Sequence, residues 1–313
     1  MNKIAFIFPG QGSQIVGMGA ELAEQDQTLY AKADDILRLP LSTYMLEGPA
    51  DTLTLTYHAQ PALLTTGVMV AQRLQALGVE PDVVAGHSLG EYSALVTAGV
   101  MSFEEAVAIV HKRGLYMNEA VPAGEGAMAA ILQMDATDLQ QVTDDVTAKG
   151  HSVQIANYNC PGQIVISGSA QGVQQACALA KERGAKRAIP LQVSGPFHSA
   201  LMAPAAQQLQ QDLQQCTFSE ATSTIIGNVR ADVLAVEDVQ QELIEQISRP
   251  VLWEQSVRKM LGLGVTTFIE CGPGKVLSGL VKKVDRSATC LCVYDEVTLQ
   301  QAVEHVKGAL QHD

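Results

Sequence analysis

Short apolar runs alternate with stretches of helical period along most of the chain. Residues 3–8 (KIAFIF) are almost wholly apolar and stop at Pro9-Gly10, the pattern of a strand buried on both faces. Residues 60–77 repeat apolar positions at helical spacing and end at Gly78, with Pro81 just beyond. Residues 82–86 (DVVAG) then read as a second buried strand, and a helix follows Ser88 to about residue 98. Ser102-Phe103-Glu104-Glu105 has capping-box spacing, which predicts a helix from Phe103 past Arg113. Strands separated by helices imply a mostly parallel sheet.

The middle of the chain has a different rhythm. A strand at 127–132, a helix at 137–148, strands at 153–156 and 163–167, a helix at 170–184 and a strand at 187–191 give the order β-α-β-β-α-β, which is ferredoxin-like. The α/β rhythm then returns, with helices from about 200 and at 240–247 and strands at 224–226 and 266–270. The expected architecture is an α/β fold in two parts. Residues 1–125 and 193–313 form a large domain on a parallel sheet, and residues 126–192 form a small inserted domain.

Composition narrows the function. The 313 residues are 47% hydrophobic and 17% charged, enough to bury a substantial core. With 20 Lys+Arg against 33 Asp+Glu the net charge is −13, which argues against nucleic-acid binding by bulk charge. No apolar run approaches the ~18 residues of a membrane helix. The six cysteines are scattered without a CxxC pair and no secretory leader is evident, so free thiols in the cytoplasm are expected.

Gly86-His87-Ser88-Leu89-Gly90 is a GxSxG motif between a predicted strand and a predicted helix. Glycines flank the serine because a Cβ on either side would strike the strand or the helix, and the turn aims the helix's first N–H groups at the serine oxygen. A serine hydroxyl needs a base. His87 points away on a tight turn, and His58, His111, His151, His305 and His312 lie in segments that read as solvated helix, loop or chain end. His198, in the loop Ser194-Gly-Pro-Phe-His-Ser199 after a predicted strand, is the best base. No acid completes a triad, since Asp232, Asp238 and Asp285 stand in no convincing strand-end loop; a hidden acid or a backbone carbonyl would orient the imidazole. The loop Phe8–Gln14 lacks the third glycine of a dinucleotide fingerprint, having Ile15 instead, and Gly272-Pro-Gly-Lys275 lacks Walker A spacing. Neither a metal site nor a cofactor is expected.

Eight segments in order resemble the malonyl-CoA:acyl carrier protein transacylase family, in its stand-alone bacterial type. They are FPGQGSQ (8–14), GHSLGEYSAL (86–95), Arg113 within HKRGLYM, GAMAA (126–130), NCPGQIVISG (159–168), SGPFHS (194–199), RPVLW (249–253) and ECGPGK (270–275). The resemblance implies an α/β-hydrolase-like large domain with a ferredoxin-like small one. It makes Ser88 the nucleophile, His198 the base, the backbone N–H groups of Gln11 and Leu89 the oxyanion hole, and Arg113 the partner of the malonyl carboxylate. It places the carbonyl that orients His198 at Leu252 and gives Phe197 the task of obstructing a 2-methyl branch. The implied partners are malonyl-CoA and acyl carrier protein, which Lys186, Arg187 and Lys283 would contact, and a monomer is expected. A serine thioesterase, a malonyl-loading subunit of a malonate decarboxylase complex and a non-enzymatic adaptor are the alternatives.

Overall fold

The computed structural model describes residues 3–25 and 27–310; His312 lies outside them. Two sheets organise the fold. The larger is built from β1 (Lys3–Phe8), β2 (Val83–Gly86), β7 (Thr224–Ile226), β8 (Val265–Cys271) and β9 (Thr289–Val293), in the order β7-β2-β1-β8-β9, with every neighbouring pair parallel. The smaller joins β3 (Gly126–Leu132), β4 (Val153–Cys160), β5 (Gln163–Ser169) and β6 (Arg187–Pro190), in the antiparallel order β4-β5-β3-β6. That is the ferredoxin-like arrangement expected from the strand–helix order.

The apolar runs explain why the large sheet lies inside. Phe6 and Phe8 of β1 enter one apolar cluster while Ala5 and Ile7 enter another, so alternate residues are buried on opposite faces. One face is covered mainly by the helix Thr56–Ala76, which is buried around most of its circumference. Placing Thr65 and Thr66 inside is tolerable partly because the Thr65 hydroxyl donates to the Pro61 carbonyl at 2.7 Å.

Sequence periodicity and structure part company in two places. The helix predicted from residue 60 begins at Thr56 and carries Pro61 as its sixth residue; the Tyr57 carbonyl, which the missing N–H would have met, accepts from His111 Nδ1 at 2.7 Å instead. β4 runs to Cys160 instead of stopping at 156, because two register irregularities, at Ile155/Asn157 and Tyr158/Cys160, carry it past the break in apolar alternation. That extension matters for the site. It brings Asn157 and Asn159 to the boundary between the two sheets, where the Tyr158 N–H donates to the Val251 carbonyl at 2.9 Å and the Val251 N–H to the Ala156 carbonyl at 2.8 Å.

Candidate active site

Ser88 sits at the carboxyl end of β2 with φ +52°, a left-handed conformation that few non-glycine residues adopt. The backbone turns so tightly there that a Cβ on Gly86 would meet the Gly90 carbonyl group, and one on Gly90 would meet the carbonyl of Phe8 on β1. Both glycines of the motif are therefore demanded by close approach. Asn228 holds the turn: its Oδ1 accepts from the Ser88 N–H at 2.8 Å and its amide donates to the Gly86 carbonyl at 2.6 Å.

The chain returns from β6 to the large sheet through a loop that carries His198, itself at φ +56°. Ser88 Oγ and His198 Nε2 are 2.8 Å apart, although 110 positions separate them in the chain. Behind the ring, Nδ1 lies 2.7 Å from the backbone carbonyl of Gln246, so Nδ1 carries the hydrogen and Nε2 is left as the acceptor. Here the structure corrects the sequence expectation. The Leu252 carbonyl does not orient His198; it starts the helix Trp253–Gly262, accepting from the Ser256 N–H and hydroxyl, both at 2.9 Å. Gln246, the last residue of the helix Val239–Gln246, supplies the carbonyl because the helix end leaves it without an intrahelical donor. The three aspartates passed over earlier are engaged elsewhere, Asp232 with Lys259, Asp238 with Arg230 and Asp285 with Ser287.

Arg113 faces the same point from the helix Phe103–Glu119. Its Nη2 donates to Ser88 Oγ at 3.1 Å and to Gln246 Oε1 at 2.8 Å, and its Nη1 donates to Gln60 Oε1 at 2.7 Å. Gln246 is thus a hub, since its Nε2 also donates to the Ser88 carbonyl at 2.9 Å and to Glu91 Oε2 at 2.6 Å. Burial, and then the neighbouring Glu242, hold the Glu91 carboxyl well above the usual carboxylate range. Nothing in the periodicity announced Asn228 or Gln246. Gln60 and Glu91 left a faint signal, as polar residues on helices that are otherwise apolar at those turns.

Between the sheets Ser88, His198 and Arg113 line a cleft of about 260 Å³. Its walls include Met128 and Val165 from the small sheet, Met117 from the Arg113 helix, and the buried ring of Phe197. Gln11 and Leu89 also line it, and among the described residues neither backbone N–H donates to another group of the chain. Lys186, Arg187 and Lys283 come together around a shallow depression, which shares Gln163 with the cleft. Arg183, from the same basic run, is instead paired with Asp145 at 2.6 Å.

Burial, and then the positive charge of Arg113, push the His198 imidazole down to about 3, against the Gln246 carbonyl, which favours the protonated ring. A base with a depressed pKa stays unprotonated as pH falls, until pH nears the depressed value. The first-step kcat/KM is therefore expected to hold through pH 6.5 and 5, with its acid limb lower still. A pH profile of single-turnover acylation checks this; an acid limb near pH 6.5 would contradict it.

An unprotonated imidazole on a serine, with a fixed cation beside both, is equipped to move an acyl group that itself carries negative charge. Enzymes that do this by way of the serine are acyltransferases. The chain belongs to the acyl transferase domain family, whose model it matches over residues 5–311. It is 58% identical over 311 residues to the malonyl CoA-acyl carrier protein transacylase of Bacillus subtilis, which spans 98% of both chains. An acyl carrier protein S-malonyltransferase from Vibrio cholerae has the same fold, with a TM-score of 0.93 and 43% identity over 96% of this chain and 100% of that one. So does a malonyl-transacylase solved in complex with a type II PKS acyl-carrier protein, with a TM-score of 0.94 and 39% identity over 97% and 100% of the two chains.

Proposed function

We propose that the protein transfers malonyl groups from malonyl-CoA to the phosphopantetheine thiol of acyl carrier protein, supplying fatty acid synthesis, through a malonyl-Ser88 intermediate. One observation carries the reading of the site: Ser88 Oγ lies within hydrogen-bond distance of both a base, at 2.8 Å, and a buried guanidinium, at 3.1 Å. His198 Nε2 takes the Ser88 proton as Oγ attacks the thioester carbonyl. The Leu89 and Gln11 N–H groups receive the oxyanion; among the described residues neither is engaged by another group. Collapse breaks the C–S bond, and the proton on His198 leaves with the CoA thiol. The carrier thiol then gives its proton to His198 and attacks malonyl-Ser88, and Ser88 regains the proton as the new thioester forms. Protons and electrons balance between the serine, the imidazole and two thiols, so the reaction requires no cofactor.

Arg113 pairs with the malonyl carboxylate, which favours transfer of this group over a general thioesterase activity. Phe197 narrows the cleft beside His198 against a 2-methyl branch, a discrimination of about 1–3 kcal/mol for one methyl group. The four-stranded sheet draws its strands from residues 126–190. That supports taking 126–192 as a small domain laid against a body of 1–125 and 193–313. We take the protein to work as a monomer in the cytoplasm without nucleic acid, the net charge of −13 counting against the last; among the described residues no helix is long and apolar enough to cross a membrane. Mass measurement of the intact protein after exposure to malonyl-CoA tests the scheme. A malonyl adduct that disappears when carrier protein is added is the expected result; an adduct discharged as fast by water as by carrier would identify a hydrolase.

Acyl carrier proteins are acidic and so is this chain, so docking requires a local cationic patch. Lys186, Arg187 and Lys283 are exposed, and among the described residues none of them is in an ion pair. Reversing the charge of all three is expected to lower kcat/KM for the carrier by about tenfold or more, with stronger salt dependence in the parent, while acylation by malonyl-CoA is spared. Equal losses in both half-reactions would remove these residues from the interface.

A further inference from the structure

Arg113 is among the largest fully buried side chains, at 1% exposure, and a charge so placed is ordinarily matched by a carboxylate. Here, among the described residues, every group that touches the guanidinium is neutral. Gln60 Oε1 and Gln246 Oε1 accept from it at 2.7 and 2.8 Å, the Ser88 hydroxyl at 3.1 Å, and the Tyr92 ring lies 5.5 Å from Cζ. Among the described residues its Nε finds no hydrogen-bond partner. The carboxyl that approaches from behind, Glu91, stops one side chain short. Its Oε2 is 2.6 Å from Gln246 Nε2, so an amide is interposed between acid and cation. Glu91 is moreover paired with a second buried acid, Glu242, whose Oε1 accepts from the Val229 N–H at 2.6 Å. Burial lifts both carboxyls, and Glu242 lifts Glu91 further, so the acid nearest Arg113 is biased toward its neutral form and acts on the guanidinium only across the Gln246 amide.

Amide oxygens can fix a guanidinium's orientation without cancelling its charge. We infer that Gln60 is a specificity-determining residue: it holds Arg113 in place while leaving the cation unneutralised, so that the carboxylate of the acyl group is the first one the guanidinium meets. The inference rests on Arg113 being the malonyl receptor. It adds that the preference for a carboxylate-bearing acyl group depends on a neutral acceptor at position 60, and that the chain gives up stability to keep it so.

Gln60→Glu tests both halves. The substitution is isosteric. Among the described residues the only hydrogen bond lost is the weak one from Gln60 Nε2 to Met117 Sδ at 3.5 Å, and the new carboxylate lies against Nη1. The variant is expected to melt at a higher temperature than the parent. The ratio of malonyl-CoA to acetyl-CoA kcat/KM is expected to fall by about 30-fold or more, chiefly through the KM for malonyl-CoA, because the internal carboxylate competes with the substrate's. Gln60→Met keeps the length and removes the acceptor without adding charge. Both rates are expected to fall together there, with the ratio held within about threefold and a lower melting temperature. A Gln60→Glu protein that keeps its malonyl preference, or that fails to fold, overturns the inference. So does a Gln60→Met protein whose preference is lost as completely as that of Gln60→Glu, since Gln60 would then act by position alone. Arg113→Ala run alongside separates the two levels. A malonyl preference untouched by Arg113→Ala overturns the receptor role itself. A preference that collapses in Arg113→Ala and survives in Gln60→Glu overturns only the role of Gln60.

Discussion

Ser88→Ala is expected to abolish malonyl loading and to lower transfer to the carrier by about 10⁴–10⁶-fold. The cleft lining holds no cysteine, and among the described residues its other hydroxyls, on Ser13 and Thr54, make no hydrogen bond to His198, whose Nε2 is directed at Ser88 Oγ. The loss belongs to chemistry and not to folding, because alanine keeps the backbone's left-handed strain at φ +52° and the turn's hydrogen bonds run through backbone atoms of residue 88. Ser88→Gly sharpens the point. Glycine accepts φ +52° without strain, so that variant should be as inactive as Ser88→Ala yet more stable by about 1 kcal/mol. Intact-mass analysis after malonyl-CoA, with thermal melts of both variants, gives the answer. A malonyl adduct retained on Ser88→Ala would end the assignment.

The second large effect is on choice of substrate. Arg113→Ala is expected to cut malonyl kcat/KM by about 10²–10³-fold, in line with removal of one partner from a desolvated charge pair. Acetyl transfer should fall much less, since a neutral acyl group has no carboxylate to lose. Stability will drop as well: the truncation empties a fully buried position and leaves the Gln60 and Gln246 amide oxygens without their donor, for about 2–5 kcal/mol. For that reason the malonyl-to-acetyl ratio is the telling readout, because partial unfolding lowers both rates alike. Lysine at 113 should restore little of it. A compact ammonium cannot keep two amide oxygens and the serine hydroxyl in their present planar relation.

Much of the chemistry was legible before any fold was known, for reasons that are local. A GxSxG between a buried strand and a helix can hardly be built any other way, since the backbones of residues 86, 90 and 8 come too close for side chains. His198 could be singled out because its loop follows a strand of the inserted unit while the other histidines sit on helices, loops or the chain end. The ferredoxin-like order of 126–190 was equally readable, because each strand and helix there obeys its own period. β9 was not foreseen. Its residues Thr289–Val293 are a short cysteine-containing run, and only pairing with β8 makes them a strand.

The placement of the carbonyl behind His198 was beyond such reasoning. Leu252 and Gln246 are six positions apart, each at a helix boundary with a carbonyl to offer. Which one faces the imidazole depends on how the helix 239–246 docks against the nucleophile turn, and that docking rests on Glu91, Asn228 and Arg113 from three distant segments.

Local sterics and hydrophobic period thus determined, from the sequence by itself, the strand–turn–helix that lifts Ser88, the two-part architecture, and the residue types needed for acyl transfer. Only the tertiary structure decided that His198 reaches across to Ser88, that Gln246 and not Leu252 orients it, and that Arg113 is held by amides without a carboxylate. The division follows from range: backbone clashes and periodicity act over a few residues, whereas a hydrogen bond between residues far apart in the chain exists only after the packing of both sheets has brought its two ends together.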